Sequence, residues 1–255
     1  MSQTANVVQL KPRTLQAFED YIREAETGME PSLHGDSAFL WSDGNSERAH
    51  GLRQGQIVAQ LWAGDAPVKV PNGLIHDWIG AVYVPGATTE QALSLVQNYD
   101  NHKNIYTPEV IDSKLVSREG NDFKIFMRLL KKKIITVVLD TDHDVHYSEI
   151  DANRWICRSC TTRIAEVEDA GTPKEKVLVP DTGYGFLWRL YSHWKFDQKI
   201  GAQRSEGVYI ECRAISLTRD IPLGLGWIIE PIIRKLPQES LTHTLECTRK
   251  ALVTS

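Results

Sequence analysis

Residues 186–196 read FLWRLYSHWKF and residues 208–219 read VYIECRAISLTR, with a polar stretch, 197–207, between them. Both runs have the length and aromatic or β-branched content of strands, and their spacing predicts an antiparallel hairpin. Side chains alternate along an extended chain, so the pair has two distinct faces. One face sets Trp194 against Ile210, Ser192 against Cys212, Leu190 against Ala214 and Trp188 against Ser216. It is apolar, yet small residues interrupt the large ones. The other face sets His193 against Glu211 and Tyr191 against Arg213, charges that can satisfy each other across the strands.

Working back toward the N-terminus, residues 74–84 form a strand that stops at Pro85-Gly86. Thr88 with Gln91 three positions on makes a capping box, and Ala92, Leu93, Val96 and Tyr99 supply the apolar side of the helix that follows. A short second helix over about 101–106 stops before Pro108. Strands follow at 110–117, 123–131, 134–147 and 155–168, separated by turn residues, which predicts an antiparallel meander. Forward of the hairpin, Leu225, Ile228, Ile229, Ile232 and Leu236 share one helical face, continued by Leu241, Leu245, Thr248 and Leu252. Pro231 and Pro237 interrupt this helix, and a kink or break is expected at Pro237, which suits the first turn of a second helical segment. Ahead of residue 74, a helix is expected over 14–26 with Thr14 as its cap and Leu15, Phe18, Ile22 and Ala25 on its apolar face. A long irregular connection over 28–55 and a strand-like run at 56–63 come next. Residues 1–73 therefore read as an N-terminal extension, and 74–255 as the folded domain.

The order is strand, two short helices, six strands and one long helix. Together with the segment 87–100 followed by Asn101-His102-Lys103-Asn104-Ile105-Tyr106, it resembles the START-like or SRPBCC superfamily over about residues 74–254. The resemblance implies an α+β helix-grip fold: a curved antiparallel sheet of about seven strands wrapped on the C-terminal helix. That superfamily contains lipid and sterol carriers, plant hormone receptors, polyketide aromatases or cyclases, and ring-hydroxylating oxygenase subunits, the last with a metal-ligand set that has no counterpart here. On packing grounds, Trp227 and Ile228 could fill the gap left by the small residues, giving an ordinary core. The resemblance favours a cavity for a hydrophobic or amphipathic small molecule instead. Its expected walls are Ile125, Met127 and Leu129, then Trp188, Leu190, Ser192 and Trp194, then Ile210, Cys212, Ala214 and Ser216, with Trp227 and Ile228 from the helix. Carriage without chemistry is the leading reading. A cyclase-like or aromatase-like enzyme is the alternative, in which Tyr191, Glu211 and an arginine would have to point inward. In a third reading, the first 70 residues carry a protein contact.

The chain's composition narrows the remaining classes. In 255 residues, 29 Lys and Arg against 33 Asp and Glu leave a net charge of −4, with no surplus to neutralise nucleic-acid phosphates. No run approaches the roughly 18 apolar residues of a membrane span. Four cysteines are too few for a disulfide scaffold, so a reducing cytoplasm is expected. Asp140, Asp142, Asp144 and His146 share a strand face, but Val145 and Asp151 stand where a calcium loop needs Gly and Glu. Cys157 and Cys160 lie in a strand at an odd offset, away from the helix N-terminus of a redox pair. Gly183-Tyr184-Gly185 and Gly224-Leu225-Gly226 lack phosphate-loop spacing. No catalytic, metal or cofactor set is expected. Lys131-Lys132-Lys133 with Trp227-Ile228-Ile229 could touch an anionic membrane transiently.

Overall fold

A computed structural model describes residues 7–35, 37–64, 66–132, 136–199, 206–220 and 226–254, the last with side chains from Lys235 onward. The strands are β1 (Val8–Gln9), β2 (Val58–Leu61), β3 (Val68–Val70), β4 (Gly73–Pro85), β5 (Val110–Glu119), β6 (Asp122–Lys132), β7 (Thr136–Asp151), β8 (Arg154–Glu168), β9 (Lys176–Val177), β10 (Thr182–Gly183), β11 (Arg189–Lys199) and β12 (Gly207–Arg219). The helices are α1 (Pro12–His34), α2 (Ser46–Arg53), α3 (Thr89–Gln97), α4 (His102–Ile105) and α5 (Gly226–Thr254). The main sheet is antiparallel and runs β2-β4-β12-β11-β8-β7-β6-β5. The seven expected strands are all present, and β2, β3 and β9 raise the total to ten.

Alternation along the two longest-paired strands sorts the core. On the inner face, Trp78, Val82 and Val84 of β4 and Val208, Ile210 and Cys212 of β12 pack with Phe123, Ile125, Tyr147 and Phe196 against Leu241 and Leu245 of α5. The approach is close at Gly80, where a Cβ would stand 2.8 Å from Leu245 Cδ1 and 3.1 Å from Leu241 Cδ2. On the outer face, Ile75, Ile215 and Leu217 are covered by Phe18, Ile22 and Ala25 of α1. Farther along the same face, Ala81, Tyr83 and Tyr209 are covered by Phe39, Leu40 and Leu52. Of the residues ahead of β4, α1 and the segment 39–52 thus form an outer layer, while β2 and β3 extend the sheet itself.

Helix α5 is held at both edges of the curled sheet. Gln238 Nε2 donates to Ala59 O of β2 at 3.1 Å, and Lys131 Nζ of β6 donates to Ser240 Oγ at 2.5 Å. Tyr106 and Thr248 share a hydroxyl contact at 3.2 Å, and Arg249 donates to Gly55 O at 2.6 Å. The chain has a helix-grip fold.

Four expectations change. Helix α5 runs through Pro231 and Pro237 without the expected break. Each proline removes one helical hydrogen bond, and contacts from the sheet on both sides of residue 239 hold the segment as one helix. The connection over 28–55 is largely helical: α1 continues to His34, and α2 is capped by Asn45, whose side chain accepts from Arg48 N. Packing of its apolar face, rather than local propensity, carries α1 past Gly28 and Pro31. Thr14 is not the cap; it is buried inside α1, and its hydroxyl donates to Pro71 O at 2.6 Å. The β11–β12 register is two residues from expectation, pairing Trp194 with Cys212, Ser192 with Ala214 and Leu190 with Ser216. An even shift leaves each residue on its assigned face.

Leu245 is fully buried between helix and sheet. Leu245→Ala is expected to lower the unfolding free energy by about 2–5 kcal/mol in denaturant titration, the cost of a core cavity. A loss below about 1 kcal/mol would mean that α5 is not seated on the sheet.

Candidate functional site

The inner face is not uniform. Beneath the C-terminal half of α5 it is closed. Val82 and Ile210 are fully buried there, and the hydroxyls of Tyr99 and Tyr147 meet at 2.8 Å. Farther along the same face, large apolar side chains are only half-buried: Met127 and Leu129 of β6, Leu190 and Trp194 of β11. Small side chains, Ser192 and Ala214, stand directly opposite each other between them. Of the expected wall residues, Ile125, Ile210 and Cys212 belong to the closed part. Met127, Trp194 and Ala214 are half-buried and pack against the edge of that closed part, Leu129, Leu190 and Ser192 are half-buried on the same face, and Ser216 is buried.

Trp188 is placed elsewhere. It precedes β11, its N–H donates to Leu217 O at 2.7 Å, and its ring packs with Phe18 and Ile22 under α1. Alternation assigns a face only within a strand, and the strand begins at Arg189. The side chains of Trp227 and Ile228 lie outside the described residues, as do Lys133 and Ile229 of the basic and aromatic pair considered for membrane contact. Lys131 of that group is engaged by Ser240 and Glu109.

The half-open part also contains polar groups that the residue pattern did not single out. His143 of β7 is buried among Thr141 and Ser159. The Thr141 hydroxyl donates to Met127 O at 2.9 Å, so its oxygen accepts from His143 Nε2–H at 2.9 Å. Ser159 Oγ then donates to His143 Nδ1 at 3.3 Å. On β4, His76 stands opposite Ser216 and Trp78 opposite Ala214. Burial pushes the His76 and His143 imidazoles down to about 4, so both are neutral at pH 7. Residues 73–84 are buried on both faces, so hydrophobic alternation gave no sign of which side His76 takes.

The titratable groups proposed for the enzyme alternative face the other way. Glu211 is on the outer face and almost wholly buried, accepting from Trp41 N and Ser42 N at 2.8 Å each. Burial raises its pKa, and those backbone donors oppose the rise. Arg213 is bidentate on Asp77, at 2.9 and 2.6 Å, and Tyr21 of α1 donates to the same carboxylate at 2.8 Å. Lys195 Nζ donates to Ser32 Oγ at 2.5 Å and Phe39 O at 2.7 Å. These side chains pin residues 12–43 to the sheet. The acids of 140–146 are also occupied: Asp140 by Arg128, Asp142 by Arg163, and Asp144 by Lys124. Cys157 packs in the inner core, while Cys160 lies opposite Tyr191 of the outer face, as their odd offset requires. All four cysteines are free thiols.

No family model matches the chain, and no curated protein matches it. Solved structures do resemble it. A STAR-related lipid transfer protein fragment from Xanthomonas axonopodis is 16% identical, with 76% of this chain and 98% of that one covered and a TM-score of 0.46. Human STARD10 is 11% identical over 81% of this chain and 80% of its own, with a TM-score of 0.45. The Zhui aromatase/cyclase from a Streptomyces species is 8% identical over 70% of this chain and 94% of its own, with a TM-score of 0.44.

His76, His102, His143 and His193 all have pKa values lowered by burial from 6.5 to about 4. As pH falls, the unfolded chain takes up these protons first, so their stabilising contribution is complete above 6.5 and is lost as pH drops toward 4. His143→Phe is expected to flatten the stability–pH curve between pH 6.5 and 4 by about 1.4 kcal/mol per pH unit, one proton's worth, read from urea titrations at a series of pH values. Parallel curves for the two proteins would contradict a neutral buried His143.

Proposed function

We propose that the protein binds a hydrophobic or amphipathic small molecule between the inner sheet face and the C-terminal helix, and carries or senses it without chemistry. The observation that carries this reading is the contrast along one face. Val82, Ile210 and Leu245 are fully buried, whereas beside Ser192 and Ala214 the side chains of Met127, Leu129, Leu190 and Trp194 keep part of their surface open. Large half-buried apolar groups around small residues, with a few polar groups to orient a guest, are the composition of a small-molecule site. On this reading residues 74–255 hold the ligand, while α1 and residues 39–52 of the extension brace the outer face and β2 extends the sheet.

Carriage is favoured over cyclisation because Tyr191, Glu211 and Arg213 are committed to the outer face, where Glu211 and Arg213 hold the N-terminal layer. Four free cysteines agree with a reducing cytoplasm. Among the described residues no helix is long and apolar enough to cross a membrane.

Ala214→Leu separates a ligand space from an ordinary core. If the space is there, the added methyl groups fill it: thermal stability holds or rises, and lipid-like molecules detected by native mass spectrometry of the wild type are lost. If the core is already packed, the same change costs about 1–3 kcal/mol by overpacking, and that result with no bound molecule in the wild type would overturn the reading.

A further inference from the structure

Two buried polar atoms on the inner face lack hydrogen-bond partners among the described residues: His76 Nδ1 and Trp78 Nε1. Both residues are more than nine-tenths buried, and they are neighbours on the same face of β4. A buried donor or acceptor without a partner is rare in folded proteins, and a ligand group that satisfies it recovers the lost hydrogen bond. By contrast, the hydroxyl pair of Tyr99 and Tyr147 and the network around His143 are complete.

The chemistry of the two atoms follows from their surroundings. Thr218 Oγ1 donates to Arg219 O at 3.2 Å, so toward His76 Nε2, 3.1 Å away, it accepts. The Nε2 of His76 therefore carries the proton and Nδ1 presents a lone pair. Trp78 Nε1–H can only donate. One acceptor and one donor, two residues apart on the same strand face, complement a group that both donates and accepts. A carboxylate or phosphate does not qualify, since it would meet the Nδ1 lone pair. The basic side chains of the adjoining strands, Arg213, Arg158 and Lys195, are also all on the outer face, facing Asp77, Glu26 and the backbone of Phe39.

We infer that the ligand carries a neutral hydroxyl group at its polar end, held by His76 as acceptor and Trp78 as donor. This rests on the binding reading above and narrows it from any lipid-like molecule to an apolar alcohol.

The test compares 1-decanol with its methyl ether, 1-methoxydecane, by isothermal titration calorimetry on the full chain. The ether oxygen accepts a hydrogen bond and cannot donate one. The wild type is expected to bind the alcohol about tenfold more tightly, the worth of one buried hydrogen bond. Trp78→Phe is expected to weaken alcohol and ether alike, whereas His76→Phe weakens the alcohol and erases the difference. Circular dichroism verifies that each variant is folded, and the wild-type ratio alone decides the matter if one is not. Equal affinity of the wild type for alcohol and ether, or tighter binding of decanoate than of decanol, would overturn the hydroxyl assignment while leaving hydrophobic binding intact. Binding of none of the three would overturn the binding reading itself.

Discussion

Strands β4 and β12 are buried on both faces, and strict alternation along them is the constraint from which the rest of the molecule follows. Thirteen consecutive residue pairs join them, and a one-residue slip of either strand would exchange its two faces. On the outer face this alternation delivers Asp77, Glu211 and Arg213; on the inner face it delivers His76, Trp78, Cys212 and Ala214. Charges that would be costly to bury unpaired are thereby gathered on one side, where the N-terminal layer supplies backbone donors, a tyrosine hydroxyl and carbonyl acceptors. The inner side of these two strands is left with neutral groups.

That division gives the two layers different tasks. The outer layer is fixed by buried ion pairs and hydrogen bonds with defined geometry, which hold residues 12–43 in place. The inner layer is held mainly by apolar contact with α5, strongest around Leu245 and Gly80 and supplemented by polar ties at Gln238, Ser240 and Thr248.

Much of this could be read from the residues. Periodicity located seven strands, the Thr88 capping box and the terminal helix, and the alternation FLWRLYSHWKF placed Ser192 and Trp194 opposite Tyr191 and His193. The limits have physical causes. Trp188 was misplaced because alternation stops at the strand boundary, one residue away. Helix α1 was read as too short, since Gly28 and Pro31 argue against helix locally while contacts 40 or more residues away sustain it. The inward course of His76 and Trp78 was hidden because β4 is buried on both sides, and a doubly buried strand carries no hydrophobic phase. Glu211 looked like a possible acid or anchor; its actual partners, the amides of Trp41 and Ser42, are invisible to side-chain pattern.

The central claim is that an apolar guest lies against the inner face near Trp194. Quenching of tryptophan fluorescence by 1-bromodecane tests it most directly, because heavy-atom quenching requires near contact and the probe has no hydroxyl group. The account expects saturable quenching that is largely lost in Trp194→Phe and retained in Trp62→Phe, whose ring lies on Arg213 at the outer face. Quenching that survives in Trp194→Phe and disappears in Trp62→Phe would place the guest on the outer face and contradict the account.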